Sequence, residues 1–157
     1  MLDIYVDADA CPVKEEVIRV GMRHNLRVYL VSNILLNRVV NDRVFKIQVG
    51  TEPDAADDWI AEHAGNGDIV ITIDILLAER CLKNGASALG TTGRIFNDEN
   101  IGAAKAMREF RAHLRETGEG SSYNAAFSQQ DRSRFLQVLE QMIQTIKRQN
   151  LSNQQKG

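Results

Sequence analysis

The stretch LDIYVDADACPVKEE, residues 2–16, gives the clearest indication of the fold. An apolar and aromatic run ends at Asp7 and Asp9, which predicts a buried strand that stops at these two acids. Pro12 is suited to the first turn of a helix, and apolar residues at helical spacing follow it. The stretch therefore predicts a strand followed by a helix, with two carboxylates at the junction.

The same alternation continues along the chain. Strands are predicted at LRVYLVSN, RVFKIQV, DIVITID and ASALG, and helices at PDAADDWIAEH and ILLAERCLKNG. Beyond residue 90 the sequence predicts a loop at GTTGR, a helix at NIGAAKAMREFRAHLRE, an irregular segment at TGEGSSYNAAFSQQ and an amphipathic helix at QQDRSRFLQVLEQMIQTIKRQ. We therefore expect an α/β three-layer sandwich with a mainly parallel sheet and C-terminal helices. We expect one domain over residues 1–149 and a flexible tail over residues 150–157.

Composition indicates a soluble globular protein, with 43% hydrophobic and 25% charged residues in 157. No apolar run approaches the roughly 20 residues of a membrane span, and no secretory leader is recognisable, so we expect a cytoplasmic protein. Residues 1–93 hold nine basic and 14 acidic side chains, whereas residues 94–157 hold ten and seven. This division suits a protein that binds a cation and a polyanion, although so small a basic surplus is also unremarkable.

Polar and acidic residues follow the predicted strands at the points where they end. Ligands bind beyond the carboxyl ends of the strands in an open parallel sheet, so these residues are expected to form a site. They are Asp7 and Asp9 after the first strand, Ser32 and Asn33 after the second, Asp54, Asp57 and Asp58 after the third, and Thr72 and Asp74 at the fourth. Clustered carboxylate oxygens favour Mg²⁺ or Mn²⁺, which hold phosphate oxygens and activate water.

Some of these residues also have simpler interpretations. Asp54, Asp57 and Asp58 stand at a helix start, where acids cap the helix and interact with its dipole, and for Asp58 we prefer that interpretation. Ser32 and Thr72 either orient a carboxylate or bind phosphate, or are hydrogen-bonded core hydroxyls. A basic group is expected to face a nucleic-acid backbone or to form a solvated helix face, namely Arg94, Lys105, Arg108, Arg111 and Arg115.

The motifs VDADACPVK, LVSN, DAAD, DIVITIDILLAERCLKNGASAL and DRSRF, in this order, resemble the YaiI/YqxD family of small bacterial proteins over residues 3–147. The resemblance implies a PIN-like, Rossmann-like fold, whose members are mostly metal-dependent nucleases with clustered acids. It implies an acidic centre of Asp7, Asp9, Asp74 and either Asp54 or Asp57. The chain departs from the family pattern at Leu76, at Thr91–Gly93 and at GEGSS. The departure at Thr91–Gly93 weakens any role of that turn, which follows the fifth predicted strand, in phosphate binding.

Three functions compete at this point. The first is a Mg²⁺- or Mn²⁺-dependent nuclease acting on RNA or single-stranded nucleic acid. The second is a phosphatase of the haloacid-dehalogenase kind, with Asp7 as nucleophile and Asp9 as acid and base, which also needs a lysine that Lys83 is poorly placed to supply. The third is a non-catalytic module that binds nucleic acid or protein. The oligomeric state is not predicted.

Overall fold

The computed structural model describes residues 2–9, 11–34, 41–117 and 126–155, and for residues 117 and 153–155 it describes the backbone alone. Most of the segment predicted to be irregular, at residues 118–125, lies outside the described residues. The strands are β1 (Asp3–Asp7), β2 (Arg27–Ser32), β3 (Val44–Gln48), β4 (Ile69–Ile71), β5 (Ser87–Leu89) and β6 (Ile95–Phe96). The helices are α1 (Lys14–Arg23), α2 (Ala55–His63), α3 (Ile75–Lys83), α4 (Ile101–Thr117) and α5 (Gln129–Gln155).

The strands form one sheet in the order β3-β2-β1-β4-β5-β6, and all neighbouring pairs are parallel except β5 and β6. Alternate β1 residues point to opposite faces, so Ile4 and Val6 pack with α1 and α5, whereas Tyr5 packs with α2 and α3. The four central strands are apolar on both faces because helices cover both, as parallel sheets require. The predicted α/β sandwich with a mainly parallel sheet is confirmed.

The antiparallel strand β6 falls just after the segment predicted as a loop. It has two residues, which is too short for a strand periodicity to be visible in the sequence. A tight turn precedes it, in which the Gly90 amide donates to the Arg94 carbonyl at 2.7 Å. Gly93 has a φ of +92°, and a Cβ atom there would lie 2.8 Å from Cγ of Arg134. Glycine is therefore needed at this position both for the turn and for the close approach of α5.

Helix α5 continues to Gln155, so residues 150–155 are helical where the sequence predicts a loose tail. The physical reason is that residues 129–155 contain no glycine or proline, so nothing in the sequence ends the helix at 149. The extent of the domain stays a prediction.

A charged cluster ties the end of α1 to the middle of α5. Nε2 of His24 lies 2.9 Å from both carboxylate oxygens of Glu140, and Arg23 also bonds to Glu140. Nζ of Lys147 lies 3.1 Å from Nδ1 of His24. The hydrogen bonds from His24, Gln144 and Arg23 lower the pKa of Glu140 to about 2. Glu140 is therefore the centre of the contact between these helices.

Replacing Glu140 by glutamine should lower the free energy of unfolding by about 1 kcal/mol at pH 6, because the ion pairs are lost. The folded-state pKa of Glu140 is depressed, so its contribution is complete above about pH 4.5 and is lost as the pH falls towards 2. Urea unfolding of both proteins at pH 6 and pH 2.5 would measure this. Glu62→Gln, at an exposed position on α2, is the control, and an equal loss in both variants would contradict the assigned role.

A candidate acidic site at the carboxyl edge of the sheet

Three strand ends meet at one edge of the sheet. β1 lies between β2 and β4, and its last residue, Asp7, is in register with Val31 of β2. β2 ends at Ser32, and β4 ends one residue before Thr72. Helices α1, α2 and α3 all begin at this edge, because each one follows a parallel strand. The predicted site residues are therefore brought to the same side of the molecule.

Thr72 connects two of the carboxylate residues. Its hydroxyl donates to Oδ2 of Asp7 at 3.1 Å and accepts a hydrogen bond from the Asp74 amide at 3.0 Å. Thr72 is itself buried, and its amide donates to the Leu89 carbonyl at 3.1 Å. The Thr72 hydroxyl is therefore both buried and bonded to a carboxylate, which fits each of the two interpretations.

Asp74 also serves as the N-cap of α3. Its Oδ1 atom accepts from the amides of Leu76 and Leu77 at 2.9 Å and 3.3 Å. These two hydrogen bonds satisfy two of the amides that lack a backbone partner at the start of every helix. One side of the Asp74 carboxylate is therefore occupied by the helix.

Asp9 is held by the end of β2. The Ser32 hydroxyl donates to Oδ1 of Asp9, and the Asn33 amide donates to Oδ2 at 3.4 Å. The same hydroxyl accepts from the Ile34 amide at 3.1 Å. Ser32 is fully buried, so its proton is committed to Asp9. Cofactor binding by Ser32, Asn33 and Thr72 stays a prediction, but the two hydroxyls donate their protons to aspartates in this structure.

The phase of α2 decides between Asp54 and Asp57. Asp57 is partly buried, and the charges of Asp74 and Asp7 raise its pKa, whereas Asp54 is exposed at the N-cap position and makes no side-chain capping bond. Asp58 points elsewhere and bonds to Arg80 at 2.8 Å. Asp57 is thus the α2 acid that joins the group, and Asp58 lies outside it.

Burial and mutual repulsion disfavour full ionisation of this group. The pKa of Asp57 is raised to about 7, first by burial and then by the charges of Asp74 and Asp7. The pKa of Asp7 is also raised, chiefly by burial and further by Asp9 and Asp74, against the opposing hydrogen bond from Thr72. Near neutral pH, Asp57 therefore holds a proton for part of the time.

The chemistry of the group fits a hard divalent cation, but its arrangement does not form a closed cage. Its donors are all carboxylate or hydroxyl oxygens, as Mg²⁺ and Mn²⁺ prefer. Among the residues that the structure describes, no three Asp, Glu, His or Cys side chains are grouped so that they could hold a metal ion. Mg²⁺ typically uses one or two carboxylates, waters and substrate phosphates, so the group fits an open site of that kind.

The lysine considered for a phosphatase lies away from the acids. Lys83 ends α3, whereas Asp74 caps its beginning, so about 13 Å of helix separates them. Lys83 is largely exposed, and its Nζ lies 4.0 Å from Glu79. Lys14, by contrast, begins α1 at the edge that carries the acids. Its charge lowers the pKa of Cys11, so the two side chains are neighbours.

Neutralising Asp57 should stabilise the protein at high pH. The pKa of Asp57 in the folded protein is raised to about 7. The free energy of unfolding therefore includes the full favourable contribution of protonated Asp57 below about pH 4, and this contribution is lost as the pH rises through 7. Asp57→Asn should therefore raise the free energy of unfolding by about 1 kcal/mol at pH 8 and leave it unchanged at pH 4. Thermal unfolding across this range measures the effect. Asp54→Asn should raise the free energy of unfolding at pH 8 by less than Asp57→Asn does. A larger increase for Asp54→Asn would show that Asp54, and not Asp57, lies with Asp7 and Asp74.

The chain matches one protein family along most of its length. The profile described as the uncharacterized BCR, YaiI/YqxD family matches residues 5–145. A UPF0178 protein of Rhodospirillum rubrum is 53% identical over 148 residues, covering 94% of this chain and 99% of the relative. UPF0178 proteins of Rhizobium etli and Agrobacterium fabrum are each 53% identical over 92% of this chain and over 93% and 95% of their own lengths. These matches confirm the family resemblance seen in the motifs.

No solved structure matches this chain. Within the described ranges, no helix combines the length and apolar character that crossing a membrane would need. Cytoplasmic localisation stays a prediction.

Proposed function

We propose that this chain, which belongs to the uncharacterized YaiI/YqxD family, is a divalent-cation-dependent phosphodiesterase that cuts RNA or single-stranded nucleic acid. The observation that carries the proposal is the placement of Asp7, Asp57 and Asp74 at the carboxyl edge of the sheet, where Thr72 bonds to Asp7 and to the Asp74 amide and where the charges of Asp74 and Asp7 raise the pKa of Asp57. Repulsion within a group of half-buried carboxylates lowers the stability of the folded protein unless a cation or a proton lies among them. A function that requires a cation gives a physical reason for retaining the group.

In this proposal, Asp7 and Asp57 hold Mg²⁺ or Mn²⁺, and Asp74 and Asp9 add negative charge around it. The bound cation would polarise a phosphate oxygen and lower the pKa of a bound water. Its other positions would be filled by water and by the phosphate of the substrate, consistent with the open arrangement of the carboxylates.

The other residues of the site position these acids. The Thr72 hydroxyl restrains the Asp7 carboxylate through the bond to Oδ2, and the Thr72 bond from the Asp74 amide fixes the start of α3 relative to β1. Ser32 and the Asn33 amide restrain Asp9 in the same way. Rigid placement of the acids matters because a phosphate must reach the cation and the attacking water in line.

Divalent cations should stabilise the folded protein through this site. At pH 8, Mn²⁺ or Mg²⁺ at 100 times its dissociation constant would add about 2.7 kcal/mol to the free energy of unfolding, and the melting temperature should rise by several degrees. The rise should be smaller at pH 6, because Asp57 then holds a proton that the cation must displace. Asp7→Asn and Asp57→Asn should lose the rise, whereas Asp58→Asn should retain it. An equal rise in Asp7→Asn would place cation binding elsewhere.

Cleavage of labelled mixed-sequence single-stranded RNA and DNA tests the activity itself. The wild type should cut at least one strand type with Mn²⁺ or Mg²⁺ and should not cut in EDTA. Asp7→Asn should reduce the rate at least a hundredfold, and Asp58→Asn, whose side chain bonds to Arg80 outside the group, should leave it unchanged.

A folded wild type that cuts neither strand with either cation would contradict the proposal. Hydrolysis of an aryl phosphate, together with a phosphoryl group trapped on Asp7, would instead favour the phosphatase as the function of this chain.

A further inference from the structure

The second half of α4 carries apolar side chains that the rest of the fold does not cover. Ile101 and Ala104 are buried against α3, whereas every side chain from 106 to 111 is exposed. Two of the exposed side chains are large and apolar, Met107 at 50% exposure and Phe110 at 57%. Neither of them belongs to a hydrophobic cluster of the described residues.

These apolar residues form one stripe along the helix. Ala103, Met107 and Phe110 follow one another at intervals of four and three residues, and Leu114 continues the same line. An α-helix turns by about 100° per residue, so these positions lie within a sector of roughly 60°. The centre of the stripe lies roughly 120° round the helix from the face that is buried against α3, so a second helix could pack on it without displacing α3. Apolar residues at this spacing are typical of a seam between two helices.

Opposite charges lie on the two sides of the stripe. Arg111 borders it on one side, roughly 70° from its centre, with Arg108 and Arg115 beyond it. Glu109 and Glu116 lie on the other side. All five side chains are exposed, and within the described part of the chain none of them forms an ion pair or a hydrogen bond. These charges are therefore available to a partner that covers the stripe.

The direction of a partner helix decides which of these charges meet. In a parallel pair of α4 helices related by a two-fold axis, the basic side of each helix faces the acidic side of the other. Arg111 then approaches Glu109 of a second copy, and this contact occurs twice. In an antiparallel pair each side faces its own equivalent, so Arg111 would lie near Arg111 of the second copy and repel it. Charge complementarity therefore favours the parallel pair.

We propose that residues 103–116 of α4, the α4 seam, pair in parallel with the same residues of a second copy of this chain. Met107 and Phe110 form the apolar centre of the contact, and Arg111 faces Glu109 across each of its two edges. The seam is about 20 Å long, which makes a small interface, so we expect a dissociation constant on the order of 10 μM. The inference does not depend on the proposed nuclease activity.

A polyanion fits the same surface less well. Its phosphates would be attracted by the arginines but repelled by Glu109 and Glu116, which are exposed on the same segment. A second copy satisfies charges of both signs and also covers the apolar stripe.

Sedimentation equilibrium of the full chain measures the pairing. The wild type should show a monomer–dimer equilibrium between about 1 and 100 μM. Phe110→Ala and Met107→Ala should each weaken the dimer about tenfold, because each removes apolar contact from the centre of the seam. Met22→Ala is the matched control, because it truncates a methionine of similar exposure, 45%, on α1 and should leave the dimer unchanged. Thermal unfolding of each variant confirms that it is folded.

Charge reversal tests the direction of the pairing. Arg111→Glu and Glu109→Arg should each weaken the dimer about tenfold, because each variant alone places like charges opposite each other at both edges. A mixture of the two variants should form a heterodimer about as tight as the wild-type dimer, because opposite charges then meet at both edges. Arg19→Glu, at an exposed position on α1, is the control and should not change the dimer.

Three results would overturn the α4 seam. One is a wild type that stays monomeric at about 100 μM. Another is a dimer that Phe110→Ala and Met107→Ala leave unchanged, which would place the contact elsewhere. The third is an Arg111→Glu variant that dimerises as well as the wild type, since the parallel arrangement opposes its new charge to Glu109.

Discussion

The candidate site depends on the central position of β1 in the sheet. Parallel pairing with β2 on one side and β4 on the other aligns three strand ends, so that Val31 lies in register with Asp7 and Ile71 with Val6. Residues that are 65 positions apart in the chain, Asp7 and Thr72, thereby come within hydrogen-bond distance. The α2 acid joins them because its helix must also start at this edge.

This arrangement brings carboxylates together that repel each other. Three features make the group tolerable in the folded protein: the hydroxyls of Thr72 and Ser32 each donate to an aspartate, Asp74 bonds to the amides that start α3, and Asp57 retains a proton up to about pH 7. A divalent cation would take the place of that proton. The same repulsion that reduces stability without a ligand would then favour cation binding, as is common where a fold carries a functional site.

Local patterns in the sequence correctly predicted the alternation of strands and helices and the mainly parallel sheet, because hydrophobic periodicity is a local feature. The same patterns show which strands end in acids. The sequence did not reveal β6, whose two residues are too few for a pattern, or the continuation of α5 beyond residue 149. Which α2 acid has its pKa raised by Asp74 and Asp7 emerges only in the folded chain, where it is Asp57, because this depends on the rotation of α2 on the sheet. The tertiary structure also decided which side chains have partners: Asp58 pairs with Arg80, while Arg108 and Arg111 have none within the described residues. Such pairings depend on elements far apart in the chain, so no local pattern encodes them.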